Sequence, residues 1–119
     1  MARGDVFNAS LKFPDGQEKR KHLVVIQGGP AYDASRQIAT VVASTDRRNG
    51  RPLRDYEVSC GSADGFDHDT LIDCRWVFTM PRDEVISGGF ITTLSPMVLA
   101  RIDAALLVGL QIVPQLPGT

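Results

Sequence analysis

The chain has 119 residues and a mass of 13.0 kDa, enough for one ordinary hydrophobic core without disulfide support. Hydrophobic residues make up 43% and charged residues 23%, which excludes a disordered polar tail, and the apolar runs are too short to span a bilayer. A net charge of −1 argues against a uniformly basic nucleic-acid binder and directs attention to how the charge is distributed.

The chain reads as short strands separated by turns and closed by one helix. The first predicted strand runs from about Gly4 to Lys12, with Phe7, Ala9 and Leu11 alternating against Val6, Asn8 and Ser10. Pro14-Asp15-Gly16 is a turn signal, because proline fixes φ and glycine accepts positive φ. A basic run, Lys19-Arg20-Lys21-His22, leads into a second strand from about His22 to Gln27. That strand is apolar on both faces and is therefore expected to be central. Gly28-Gly29-Pro30 ends it, and 31–37 is expected to be a loop or one helical turn. The third strand, Ile38 to Thr45, is rich in β-branched and apolar residues. Asn49-Gly50 marks a tight turn, and a fourth strand covers Asp55 to Cys60.

An acidic, glycine-containing loop from Gly61 to Asp69 precedes the fifth strand, Thr70 to Met80. Strict alternation places Ile72, Cys74, Trp76, Phe78 and Met80 on a core face, and Asp73 and Arg75 together on the other. A short helical turn over 81–87 leads through Gly88-Gly89 to a sixth strand, Phe90 to Leu94. Ser95-Pro96 opens the last helix, whose stripe of Val98, Ile102, Ala105, Leu106 and Gly109 is widened by Leu99, Leu110 and Val113. Pro114 is expected to stop it, leaving 1–113 as a single domain and 114–119 as a loose tail. The expected fold is mainly β (α+β): a small SH3-like partial barrel of about six antiparallel strands capped by the C-terminal helix.

Cys60 and Cys74 match no zinc spacing and are expected to be buried free thiols; no metal and no cofactor are expected. Seven of the 13 basic residues fall in two short stretches, Lys19, Arg20, Lys21 and then Arg47, Arg48, Arg51, Arg54. If the two meet in space they form a patch able to hold phosphates; if they do not, they are solvated charge. Tyr32 and Phe66, on loops, are candidates for stacking on unpaired bases, whereas His68 is expected to be an exposed loop residue.

Four segments carry a family likeness: Arg3-Gly4-Asp5-Val6, Gly16-Gln17-Glu18, Val41-Val42-Ala43-Ser44-Thr45 and Asp69-Thr70-Leu71-Ile72-Asp73. In this order the chain resembles the MazF/PemK/Kid family of bacterial toxins, small endoribonucleases neutralised by a partner antitoxin. The resemblance implies metal-independent cleavage of single-stranded RNA at short sequences, through attack of the ribose 2′-hydroxyl on the neighbouring phosphate. It further implies a cytoplasmic homodimer with a cognate antitoxin as partner and no membrane. Thr45 stands at the family's active-site Thr or Ser. Lys21 takes the place of its usual Arg, and Arg20 is one residue away. His22 replaces the family's proline and belongs to the one side-chain class that titrates near neutrality. Asp73 and Arg75 occur in the reverse order of the Arg and Asp used by some members, as an acid–base pair or a plain ion pair. Gln17, Glu18, Lys19, Arg47 and Arg48 are the expected substrate-binding residues. A non-catalytic binding domain of the same superfamily remains an alternative. A CcdB-like gyrase poison is a weaker one, because the chain ends in Gln115-Leu116-Pro117-Gly118-Thr119 without an aromatic residue.

Overall fold

The computed structural model describes residues 1–112. Six strands and two helices follow one another: β1 (Asp5–Lys12), β2 (Glu18–Val25), β3 (Gln37–Thr45), β4 (Glu57–Cys60), β5 (Thr70–Pro81), α1 (Arg82–Ser87), β6 (Phe90–Thr93) and α2 (Pro96–Gly109). All neighbouring strands are antiparallel, in the order β4-β5-β3-β2-β1-β6, and the sheet curls into a half-barrel. The expected fold class holds. Expectations on Val113, Pro114 and 114–119 lie outside the described residues.

Both faces of the sheet are packed, which follows from the pleat. Val6, Val24, Val41, Ala43 and Ile72 point to one face, where α2 covers them with Val98, Ile102 and Ala105. Phe7, Leu11, Leu23, Val25 and Ile38 point to the other, closed in part by Val85 of α1. Each large aliphatic buried this way contributes roughly 1.5–3 kcal/mol. Ser95 caps α2 by accepting from the Val98 N–H, with Pro96 in the first turn. Near its end α2 comes so close to β5 that a Cβ on Gly109 would stand 2.4 Å from the Cys74 carbonyl oxygen. Cys60 and Cys74 are free and buried, and burial pushes their thiols up to about 11 and about 12.

Two strands depart from expectation. β2 begins at Glu18 rather than His22, because β1 pairs with it as far as Lys12↔Glu18 and draws the whole basic run into the hairpin. Gly16, at φ +82°, closes that turn, where the Gly16 N–H donates to the Phe13 carbonyl at 2.9 Å.

The larger departure is in β5. Val41 pairs with Val77, yet Ala43 pairs with Ile72, so two steps along β3 are matched by five along β5. An odd excess of residues reverses which face the chain presents. Ile72 and Cys74 are core, as expected. Within the bulge Trp76 is 59% exposed, and beyond it Phe78 is 39% exposed, so Trp76 is not a core residue.

Candidate active site

The site arises where the β1–β2 hairpin peels away from β3. The β2–β3 ladder stops at His22↔Ala43, while β1–β2 pairing runs on to Lys12↔Glu18 and β3–β5 pairing to Thr45↔Thr70. Lys21 and Arg20 on one side, and Ser44 and Thr45 on the other, therefore line a notch between diverging strands. On one side of the sheet this notch opens into a cleft of about 370 Å³, with Lys19, Lys21 and Thr45 at its polar end and Phe13, Trp76 and Phe78 among its walls. On the other side it meets the loop that carries His68.

That loop is pinned at several points. Phe66 is 3% exposed and packs into the α2-side core. This removes it from the residues able to stack on a base, correcting the sequence expectation. His22 lies over it instead, with ring centroids 5.7 Å apart and planes at 17°. The buried Thr70 hydroxyl donates to the His68 carbonyl at 3.0 Å, and the Asp69 carbonyl accepts from the Asp46 N–H at 2.9 Å. The result sets the His68 imidazole beside Thr45, with Nε2 3.2 Å from Oγ1.

Asp67 bonds the other ring nitrogen, Nδ1, and that contact holds its carboxyl below the usual range. A carboxylate only accepts, so Nδ1–H is the donor; the neutral ring then offers Nε2 as an acceptor toward the Thr45 hydroxyl. Sequence reasoning passed over His68. The signal that would have found it is non-local: the end of β3 lies against the start of β5, with β4 between them in sequence.

The expected site residues divide sharply. Lys21 is half-buried; burial, and then the charges of Lys19 and Arg47, hold its ammonium below the ordinary lysine value. The charge of Arg47 thus reaches Lys21, although Arg47 itself is exposed and lines neither the notch nor the cleft. For His22 burial is the main cause of a lowered pKa; Asp67 opposes it and His68 adds to it. Arg20 is exposed at the notch, and Lys19 sits over the Phe13 ring at 5.6 Å. Among the described residues Lys19, Arg20, Lys21 and Arg47 form no ion pair.

Arg48 by contrast grips Asp46, with Nη2 2.8 Å from Oδ2 and Nε 3.0 Å from Oδ1. Arg51 grips Glu57 through two bonds of 2.9 Å. Asp73 and Arg75 are bonded to each other at 2.8 Å. Burial alone would raise the Asp73 carboxyl, but its Arg75 bonds outweigh that and hold it low. Asp73 lines the cleft with Lys21 and Thr45, whereas the Arg75 guanidinium lies over the Tyr56 ring. Gln17 and Glu18 are exposed at the hairpin tip; the Gln17 N–H donates to Asp15 and closes the turn. Among the described residues no three His, Cys, Asp or Glu side chains gather as a metal-ligand set, and no helix is long and apolar enough to cross a membrane.

A six-stranded antiparallel half-barrel closed by a C-terminal helix is a fold this chain shares with solved bacterial toxins. The chain belongs to the family described as PemK-like, MazF-like toxin of type II toxin-antitoxin system, which matches residues 2–110. Comparison with curated protein sequences gave no match.

Among solved structures, an endoribonuclease in complex with its cognate antitoxin from a mycobacterial species is 17% identical. It superposes with a TM-score of 0.77 over 97% of this chain and 99% of that one. The Mycobacterium tuberculosis toxin MazF-mt6 is 13% identical, with a TM-score of 0.74 over 92% of this chain and 99% of that one. A MazE–MazF structure from Deinococcus radiodurans is 11% identical, with a TM-score of 0.73 over 95% and 98%.

Proposed function

We propose that this protein is an endoribonuclease that cuts single-stranded RNA at short sequences without a metal ion, and that a cognate antitoxin silences it. The observation that carries this reading is the notch itself. Transesterification needs a proton acceptor, a cation for the developing phosphorane charge and a donor for the leaving oxygen. Thr45, Lys21 and the two imidazoles bring groups able to fill those roles to one opening, in a chain of this toxin family.

In this reading the Thr45 hydroxyl and the Lys21 ammonium hold the scissile phosphate. Lys19 and Arg47 attract the flanking phosphates, as expected of the substrate-binding set, and Arg20, expected among the catalytic residues, joins them. Gln17 and Glu18 shape the hairpin tip over the strand of RNA. Lysine gives up the bidentate fork that an arginine would supply, but it brings a titratable proton.

The antitoxin reading rests on the same surface: unpaired cations beside the apolar cleft walls suit an acidic segment with hydrophobic anchors. Exposed Phe90, Met97, Leu107 and Val108 on β6 and α2 leave apolar surface of the kind a second copy covers, which supports a homodimer.

The test is cleavage of a long single-stranded RNA by purified protein in EDTA, with end-mapping of the products, beside Thr45→Ala. Cuts recurring at a short sequence and reduced on the order of 10²–10³-fold in the variant are expected. A folded protein, freed of any bound antitoxin, that cuts nothing would instead indicate a non-catalytic binding domain.

A further inference from the structure

We propose that His68, held by Asp67, is the proton acceptor for the ribose 2′-hydroxyl at this site, an inference that rests on the endoribonuclease reading above. The loop is anchored by Phe66 in the core, by Thr70 on the His68 carbonyl and by Asp69 on the Asp46 N–H, yet the imidazole itself stays open to solvent. Asp67 takes Nδ1–H and thereby fixes the tautomer, leaving Nε2 aimed at Thr45. A phosphate resting on the Thr45 hydroxyl brings its ribose neighbour within reach of that nitrogen.

The step balances as follows. The 2′-oxygen forms its bond to phosphorus as its proton passes to His68 Nε2. The bond from phosphorus to the 5′-oxygen breaks, and that oxygen takes a proton from the Lys21 ammonium across the notch. The products are a 2′,3′-cyclic phosphate and a free 5′-hydroxyl, and solvent restores both side chains. Lys21 suits the donor role because burial, Lys19 and Arg47 make its proton easier to release.

His22 is the competing imidazole, 6.2 Å from His68 between ring centroids. It is stacked on Phe66 and half-buried, and among the described residues no carboxylate bonds its ring. The groups facing His68 are Asp67 on its own loop, Arg20, Lys21 and His22 from β2, and the neutral hydroxyls of Ser44 and Thr45 from β3.

The experiment compares wild type, His68→Ala and Asp67→Asn on the mapped RNA site across the imidazole titration range. The expected result is a kcat for His68→Ala reduced roughly 10²–10⁴-fold with KM little changed, and partial recovery on adding free imidazole. Asp67→Asn is expected to lose less, because the ring stays beside Thr45 but loses the acceptor that fixes its tautomer. Binding of an all-deoxy version of the site, which lacks the nucleophile, should be little changed in His68→Ala and no weaker in Asp67→Asn, which removes an anion from the notch.

His68→Ala cutting at the wild-type rate would overturn the proposal and leave the endoribonuclease reading standing. So would a slower variant with an unaltered pH profile and no response to imidazole. Wild type that cuts no RNA would overturn the reading on which the proposal rests.

Discussion

Arg47 and Arg48 are neighbours in sequence and opposites in the fold. Arg47 is exposed and its charge is felt at Lys21, with no ion pair among the described residues, whereas Arg48 is clamped on Asp46. The same contrast separates the two basic stretches. The β2 run of Lys19, Arg20 and Lys21 forms no ion pair among the described residues and lies beside an open cleft. In the loop between β3 and β4 two arginines are spent on internal carboxylates: Arg48 on Asp46 and Arg51 on Glu57, with the Arg48 guanidinium also reaching the Arg51 carbonyl at 3.3 Å. A count of basic residues therefore overstates the binding surface. Charge attracts phosphate only where the fold has not already paired it, and the paired arginines shape the loop that presents the unpaired one.

The sharpest way to break this comparison is to remove one cation from each side. Lys21→Ala is expected to lower cleavage on the order of 10²–10³-fold. It should leave Tm unchanged or slightly raised, since burying a lysine among like charges disfavours the folded state at neutral pH. Arg48→Ala should show the reverse pattern: near-normal cleavage per folded molecule and a lower Tm. Thermal melts beside initial cleavage rates decide it, and a large rate loss in Arg48→Ala at unchanged Tm would place that residue on the substrate instead.

A middle-sized effect is expected from the adjacent pair. Each phosphate contact with single-stranded nucleic acid contributes roughly 0.7 to the slope of log binding constant against log salt. Arg47→Ala should therefore weaken RNA binding several-fold at low salt and flatten that slope by about 0.7, and Arg51→Ala should leave the slope alone. Equal slopes for wild type and Arg47→Ala would remove Arg47 from the binding surface.

Much of this was legible from the residues. The six strands, the Gly16 turn, the Ser95 cap and the α2 stripe follow from local chemistry and periodicity, which any short window displays. Lys21 and Thr45 were legible from the family pattern, and both line the notch. Trp76 was misplaced because alternation was carried unbroken along β5, and the bulge that reverses it exists only against β3, between Val41 and Ala43. Phe66 was misplaced because a loop aromatic looks exposed until the core it fills is assembled. His68 is the exposed loop residue that was expected, but its contact with Thr45 was not legible. Its partner Thr45 lies 23 residues away, and only the β3–β5 pairing brings the two together.

The smallest effect concerns the paired side of the comparison and its dependence on pH. Glu57 accepts from Arg51 at both carboxylate oxygens and from the Arg54 N–H at 2.8 Å. The Arg51 bonds are the main cause that pulls its carboxyl below the usual range; burial opposes them and the Arg54 bond assists. A carboxyl whose pKa is depressed on folding stabilises the native state above its unfolded value, about 4.3 for glutamate, and that contribution is lost as pH falls through the folded value. Asp46 behaves alike through Arg48. Wild type should therefore lose Tm as the pH drops from about 5 through the carboxylate range. Glu57→Gln cannot gain that proton, so its Tm should start lower at neutral pH and fall less steeply, the two curves converging in acid. Parallel curves would mean that Glu57 holds the loop by shape alone. Convergence would show that the arginines of this loop are committed to the fold through their charge, leaving phosphate to the cations that β2 and Arg47 keep free.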